Sequence, residues 1–294
     1  MSRKRSLSIA GIELAVDGPD DLERTEQDPI YAPFVAPVGG ERMPVSVVEG
    51  EAPDLQGFTP VFDSGVAWTL HRSNGTRLLR FARPGAPGGW LYSAALQGLA
   101  ERVTVHCGPR MRVVRAGGDV LIDPVRYPLD QLLLMYRLAA SQGAIVHAAG
   151  AVVDGRAWVF AGRSGAGKST LMQLLDGEAG IQALGDDRVV LRRVGSKIRA
   201  FGTPWPGEAR VACNADAPLH AIAFLQQGPE HRLVPLDRGE ALVRLLPVAS
   251  VPWYEPEVAG LVLDFLGELL STLPVYDLHF ALEPGVGELL GGAA

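Results

Sequence analysis

The chain has 294 residues, a mass of 31.3 kDa and a formal net charge of -6. With 47 % hydrophobic and 20 % charged residues it carries enough apolar material for one large or two modest domains, which excludes wholesale disorder. The acidic balance, 33 Asp and Glu against 27 Lys and Arg, argues against a nucleic-acid binder held by phosphate contacts.

Residues 7–17 alternate between apolar and polar and predict a strand. Residues 18–28 are acidic and polar, as in a surface loop, and 29–62 mix many Pro and Gly with short apolar pieces such as Val45 to Val48. Residues 66–72 and 77–82 flank Asn74-Gly75, a favoured turn pair, and predict a hairpin. A Pro- and Gly-rich loop at 83–89 precedes strand-like pieces at 101–107, 111–115 and 119–123. The first 125 residues are therefore expected to be β-rich and antiparallel, and they hold no recognisable catalytic motif.

The pattern changes after Pro124. Leu129, Leu132, Leu133 and Tyr136 fall at helical spacing within 128–142. Short apolar strands are expected at 144–148 and 157–161, and a helix from Lys168 to about Leu175. Further strands fit 181–184, 188–194, 197–201, 219–226 and 274–282, and further helices fit 237–246 and 256–271. This alternation predicts an α/β domain over 126–294 beside a β-rich region over 1–125. Cys107 and Cys213 lack zinc-ligand spacing and read as reduced thiols. No stretch is long and apolar enough to span a membrane and no signal peptide is evident, so a cytoplasmic protein without nucleic-acid or membrane partners is expected.

The clearest chemistry lies at Gly162-Arg163-Ser164-Gly165-Ala166-Gly167-Lys168-Ser169-Thr170, which matches the Walker A spacing G-x-x-x-x-G-K-[ST]. Glycines let the backbone approach an anion, and successive N–H groups and a helix N-terminus supply positive potential. In such a loop the lysine reaches the β and γ phosphates and the hydroxyl of Ser169 ligates Mg²⁺. Only three lysines occur, Lys4, Lys168 and Lys197, against 24 arginines, and Lys168 occupies the one place where a compact ammonium is needed. Guanine-reading, transporter-ATPase and protein-kinase motifs are all missing. Asp186 and Asp187 follow an apolar stretch, where a second metal-binding element and a proton acceptor are expected. His147 lies in the strand before the loop; alone it reads as a core residue.

A strand bearing His147, a glycine turn, a strand, the loop, a helix and then Asp186-Asp187 resemble the catalytic domain of HPr kinase/phosphorylase over about residues 128–205. The string Gly202-Thr203-Pro204-Trp205-Pro206-Gly207-Glu208 resembles related HPr-kinase-like proteins, including lasso-peptide kinases. The resemblance implies a P-loop kinase core related to phosphoenolpyruvate carboxykinase, and ATP- and Mg²⁺-dependent transfer of a γ-phosphoryl group to a hydroxyl. Serine of a peptide or protein is the favoured acceptor, with a small-molecule alcohol as the variant and a non-catalytic ATP-binding regulator as the alternative. It implies Lys168 and Ser169 as phosphate and Mg²⁺ residues, Asp186 as a metal ligand, Asp187 as the favoured base and His147 beside that base. Lys197 stands where the family carries an acidic residue, and Glu208 is the candidate for that carboxylate. The family's Ser-Glu is here Ser169-Thr170, and residues 1–125 do not resemble its N-terminal domain, so HPr itself is not the expected acceptor. Arg163, Arg188, Arg199 and Arg210 are candidate phosphate or acceptor contacts, and Trp205 a candidate groove residue.

Overall fold

The computed structural model describes residues 2–35, 40–65, 67–82, 90–115, 118–163 and 165–293. The expected loop at 83–89, Val66 of the expected hairpin and Ser164 of the glycine-rich loop lie outside them. The chain divides into two units, Met1–Arg137 and Leu138–Ala294.

In the first unit the stretch expected as a single strand over 7–17 is a hairpin. β1 (Ser2–Ile9) and β2 (Ile12–Pro19) pair antiparallel, and the chain reverses at Ala10 and Gly11, with φ of 54° and 71°. Leu7, Ile9, Ile12, Leu14 and Val16 are all buried, because Leu7 faces Leu14 and Ile9 faces Ile12. A two-residue turn keeps the alternation in phase, so periodicity alone does not reveal it. β3 (Glu41–Glu49), β4 (Thr59–Asp63), β5 (Trp68–Ser73), β6 (Thr76–Ala82), β7 (Trp90–Gln97) and β8 (Arg102–Cys107) complete an eight-stranded sheet in the order β1-β2-β3-β8-β7-β6-β5-β4. Asn74 and Gly75 make the β5–β6 turn at φ 45° and 78°.

β4 to β8 form an antiparallel meander, but β3 runs parallel to both β2 and β8. The expectation of an antiparallel region is corrected on this point. Parallel neighbours need a long crossover, and the chain between β2 and β3 supplies one. It carries 3-10 turns at Thr25–Gln27 and Ala32–Phe34. The Thr25 hydroxyl and the Arg5 guanidinium both donate to the buried Asp123 carboxylate, and Tyr31 donates to Asp130 at 2.8 Å. β9 (Arg112–Arg115) and β10 (Gly118–Leu121) form a separate antiparallel ribbon.

Helix α1 (Leu129–Ala140) carries the point of division. In the second unit β11 (Gly143–Val153), β12 (Arg156–Ala161), α2 (Lys168–Leu175), β13 (Ile181–Gly185), β14 (Arg188–Val194), β15 (Lys197–Phe201) and β16 (Asp216–Gln227) follow in order. β17 (Arg232–Pro235), α3 (Arg238–Leu245), α4 (Pro256–Thr272), β18 (Val275–Phe280) and α5 (Val286–Gly292) complete it. This is a mixed α/β unit, as the alternation predicts.

Here β11 is longer than the expected 144–148, since the small residues Ala148 to Ala151 conceal its second half. Its first half pairs with β14, and its second half lies between β12 and β13. β12 also pairs in parallel with β16, while β15 links β14 to β16, so five strands close on themselves. β18 runs parallel to β16, and β17 is antiparallel to β18. One face packs Trp158, Phe160, Ala221, Ala223, Leu278 and Phe280 against Leu171, Met172 and Leu175 of α2 and Val286 and Leu290 of α5. The sequence of α5, VGELLGG, is a poor helix former, and burial of those two side chains compensates. Neither α5 nor the short β17 is legible from sequence pattern.

The parallel strands β12, β16 and β18 end on the same side, β12 at Ala161 opposite Phe224, and β16 and β18 three residues further on, at Gln227 opposite Phe280. In α/β folds the crevice beyond the carboxyl ends of parallel strands is a common place for a ligand. The glycine-rich loop begins there, directly after Ala161.

Candidate functional site

Gly167, at φ 95°, is the left-handed residue that turns the loop into α2, and a Cβ there would approach the Phe280 ring to 3.0 Å. Lys168 opens the helix and is 7 % exposed. Its ammonium donates to the carbonyls of Gly162 at 2.7 Å and Arg163 at 3.2 Å, so the cation is held inside the loop it follows. Ala166 N–H donates to the Arg163 carbonyl at 3.2 Å, closing the turn. Desolvation holds the Lys168 amine below its ordinary range, and the carboxylate of Asp187 opposes that shift.

His147 stands beside the start of the loop, where the Gly162 N–H donates to its carbonyl at 3.4 Å. Its Nε2 lies 2.7 Å from Oδ1 of Asp187, and the Ala148 N–H donates to the Asp187 carbonyl at 2.9 Å. Oδ2 of Asp187 accepts from the Arg188 guanidinium. Burial, then the nearby Lys168 cation, lowers the His147 pKa, and Asp187 pulls the other way. The net direction favours a neutral imidazole that can still donate through one nitrogen.

The two aspartates have different surroundings. Asp186 is 3 % exposed, and its oxygens accept from the N–H groups of Gly207 at 2.9 Å and Ala209 at 2.8 Å. It therefore clamps the 207–209 segment against the end of β13. A one-residue irregularity helps to set this geometry. Ala151 pairs with Ala183 but Gly150 pairs with Gly185, leaving Leu184 as an extra residue just before the aspartates. Such bulges re-aim neighbouring side chains. Replacing Asp186 with Ala is expected to deprive the part-buried N–H groups of Gly207 and Ala209 of their acceptor. Charge-assisted hydrogen bonds of this kind set the cost at about 3 kcal/mol, read by denaturant unfolding, with faster proteolytic cleavage within 206–210.

The Gly202–Glu208 string has a steric reason for its first residue. A Cβ on Gly202 would lie 2.0 Å from the Cys213 carbonyl oxygen and 2.4 Å from that of Leu184. Gly202→Ala is expected to cost about 3 kcal/mol through overpacking against backbone, measured as a lowered Tm. Thr203 donates to the Arg188 carbonyl at 2.7 Å, tying the string to β14. Gly207 in turn packs so closely that a Cβ would meet Asp187 Cβ at 3.0 Å.

These residues enclose a cleft of about 500 Å³, lined by His147, Gly165, Gly167, Lys168, Ser169, Thr170, Asp186, Asp187, Gly207, Glu208 and Gln227. The volume is within the range of small-molecule sites. Of the residues expected from sequence, Gly162, Arg163 and Ala166 shape the loop rather than line the cleft, and Ser164 lies outside the described residues. Arg163 is exposed, Arg199 is paired with Asp216 on β15 and β16, and Trp205 is 4 % exposed. Sequence reading missed the Asp186 clamp and Gln227. Only the position of Gln227 at the end of an apolar strand run hints at it.

No group of three or more His, Cys, Asp or Glu side chains among the described residues forms a ready metal site. The cleft instead offers hard oxygen donors, the Ser169 hydroxyl and the carboxylates of Asp186, Asp187 and Glu208. That donor set fits Mg²⁺, which takes few protein ligands and completes its shell with water and phosphate oxygens.

The family model described as SynChlorMet cassette protein ScmC matches residues 129–280, just over half of the chain. The chain belongs to this family. The match covers every protein residue lining the cleft. A search of curated proteins gives no match. Among solved structures, the Hpr(Ser) kinase/phosphatase from Coxiella burnetii is similar at 15 % identity, with a TM-score of 0.27, over 51 % of this chain and 87 % of that chain. No helix among the described residues is long and apolar enough to cross a membrane.

Proposed function

We propose that residues within 126–294 form a P-loop kinase that transfers the γ-phosphoryl group of ATP to a hydroxyl, with serine of a peptide or protein as the acceptor. One observation carries the reading. The Walker A residues Lys168, Ser169 and Thr170 share a single cleft with the His147–Asp187 pair. A phosphate cradle alone would suit any nucleotide binder; a carboxylate oriented by a histidine beside it suits removal of a hydroxyl proton.

In this mechanism Gly162 to Thr170 bind the phosphates, with Lys168 swinging its ammonium from loop carbonyls to phosphoryl oxygens. Asp187 takes the acceptor proton at a carboxylate oxygen while His147 and Arg188 hold its orientation. Asp186 keeps Gly207 and Glu208 at the mouth, and Ser169, Asp186 and Glu208 are the groups that would hold Mg²⁺. When bound, Mg²⁺ neutralises phosphate charge. The rest of catalysis is positioning and electrostatics. The sequence resemblance of residues 128–205 to HPr kinase/phosphorylase supports the same reading, which places the protein in a compartment that supplies ATP.

The test is incubation with ATP, Mg²⁺ and candidate peptides, proteins and small alcohols, followed by mass spectrometry of the products. An 80 Da increment on a serine, dependent on Lys168, supports the proposal. Acceptor-independent ATP binding that alters partner association, with no phosphorylated product, replaces the kinase by an ATP-binding regulator. Phosphorylation confined to a small alcohol keeps the kinase and changes its acceptor.

A further inference from the structure

We propose that the side-chain amide of Gln227 is a ligand for the terminal phosphoryl group, so that this residue distinguishes a nucleoside triphosphate from a diphosphate. The inference rests on the nucleotide-binding reading of the cleft.

Register places Gln227 where it can do this. β16 lies beside β12 in parallel, with Phe224 opposite Ala161, the last residue before the glycine-rich loop. Gln227 is three residues further along, and at about 3.3 Å per residue it overhangs the loop by about 10 Å. Its Nε2 sits 3.5 Å from where a Cβ on Gly167 would stand, over the glycine that immediately precedes Lys168. The residue lines the same cleft as Lys168, His147 and Asp187. Because β11 and β16 flank β12 on its two sides, Gln227 approaches the cradle from the side opposite His147.

The backbone under this amide is held. Gln227 pairs with Phe280 of β18, Gly228 N–H donates to the Phe280 carbonyl at 3.0 Å, and Gln226 Nε2 donates to Asp277 Oδ1 at 3.3 Å. The chemistry suits the position. A neutral amide N–H donates to a phosphoryl oxygen without adding a further charge to a cleft that already holds the Lys168 cation beside the Asp186, Asp187 and Glu208 carboxylates. Loop N–H groups serve the inner phosphates. The transferred group must lie outward of them, between Gln227 and Asp187, for Asp187 to reach an acceptor hydroxyl.

Calorimetric titrations of the full chain with a non-hydrolysable ATP analogue and with ADP, each with Mg²⁺, test this without knowledge of the acceptor. Gln227→Ala is expected to weaken the analogue about tenfold, as for loss of a hydrogen bond to a charged group, and to leave ADP affinity within about twofold. Gln227→Glu, close to isosteric, should weaken the analogue further by charge repulsion and again spare ADP. Equal losses for both nucleotides, or no loss for either, in variants that unfold at the wild-type temperature overturn the role of Gln227 and leave nucleotide binding standing. If the wild-type chain binds neither nucleotide, the nucleotide reading and the Gln227 inference fall together.

Discussion

Lys168→Ala is expected to lower kcat/KM for phosphoryl transfer by about 10³-fold, the scale on which a preorganised cation opposite developing phosphate charge acts. The expectation follows from where the ammonium already is. It is buried and bound to the Gly162 and Arg163 carbonyls, so it needs only a small swing to meet a phosphate and little new desolvation. Lys168→Arg should restore little, since a planar guanidinium is too broad for a cradle sized for an ammonium. The check is steady-state transfer for wild type, Lys168→Ala and Lys168→Arg, with circular dichroism to confirm folding. Rescue by arginine to within about threefold of wild type would show that charge alone suffices and would refute the narrow-cradle account.

Asp187→Asn should separate binding from chemistry. The substitution keeps the shape but removes the proposed proton acceptor, and transfer is expected to fall by about 10³-fold, near the middle of the general-base range. ATP affinity should stay within about threefold, because the proposed reaction uses the carboxylate on the acceptor side and Lys168 remains in place. The companion Asp186→Asn should differ in kind. Asp186 holds backbone N–H groups of residues 207 and 209, so its loss should show first in stability and in the order of that segment. Stopped-flow nucleotide binding together with single-turnover transfer separates the two variants. Equal loss of ATP affinity in Asp187→Asn would place this side chain in nucleotide binding and move the base elsewhere.

The contrast between the two aspartates was not legible in the chain. Adjacent carboxylates after an apolar run indicate a site, but their division of labour depends on the extra residue at Leu184 and on the approach of Gly207 and Ala209. His147 is similar. In sequence it is one polar residue in an apolar strand. Its meeting with Asp187 depends on β11 lying antiparallel to β14, with His147 opposite Arg188. The same limit applies to the first unit, where alternation marks many strand residues but conceals the Ala10-Gly11 reversal and the parallel placement of β3.

What could be read without a fold was local. The glycine-rich loop is a run of consecutive residues between an apolar strand and a helix, and its chemistry depends on backbone freedom and one lysine within that run. The α/β alternation after residue 125 was readable for the same reason, since hydrophobic period reports each element's own geometry. Tertiary structure decided everything that required two distant segments to meet: the His147–Asp187 pair, the clamp of Asp186 on 207–209, and Gln227 at the end of a strand beside the loop. Periodicity specifies which face a side chain takes. Strand order, direction and register specify which partner it finds, and those are set by the packing of the whole unit.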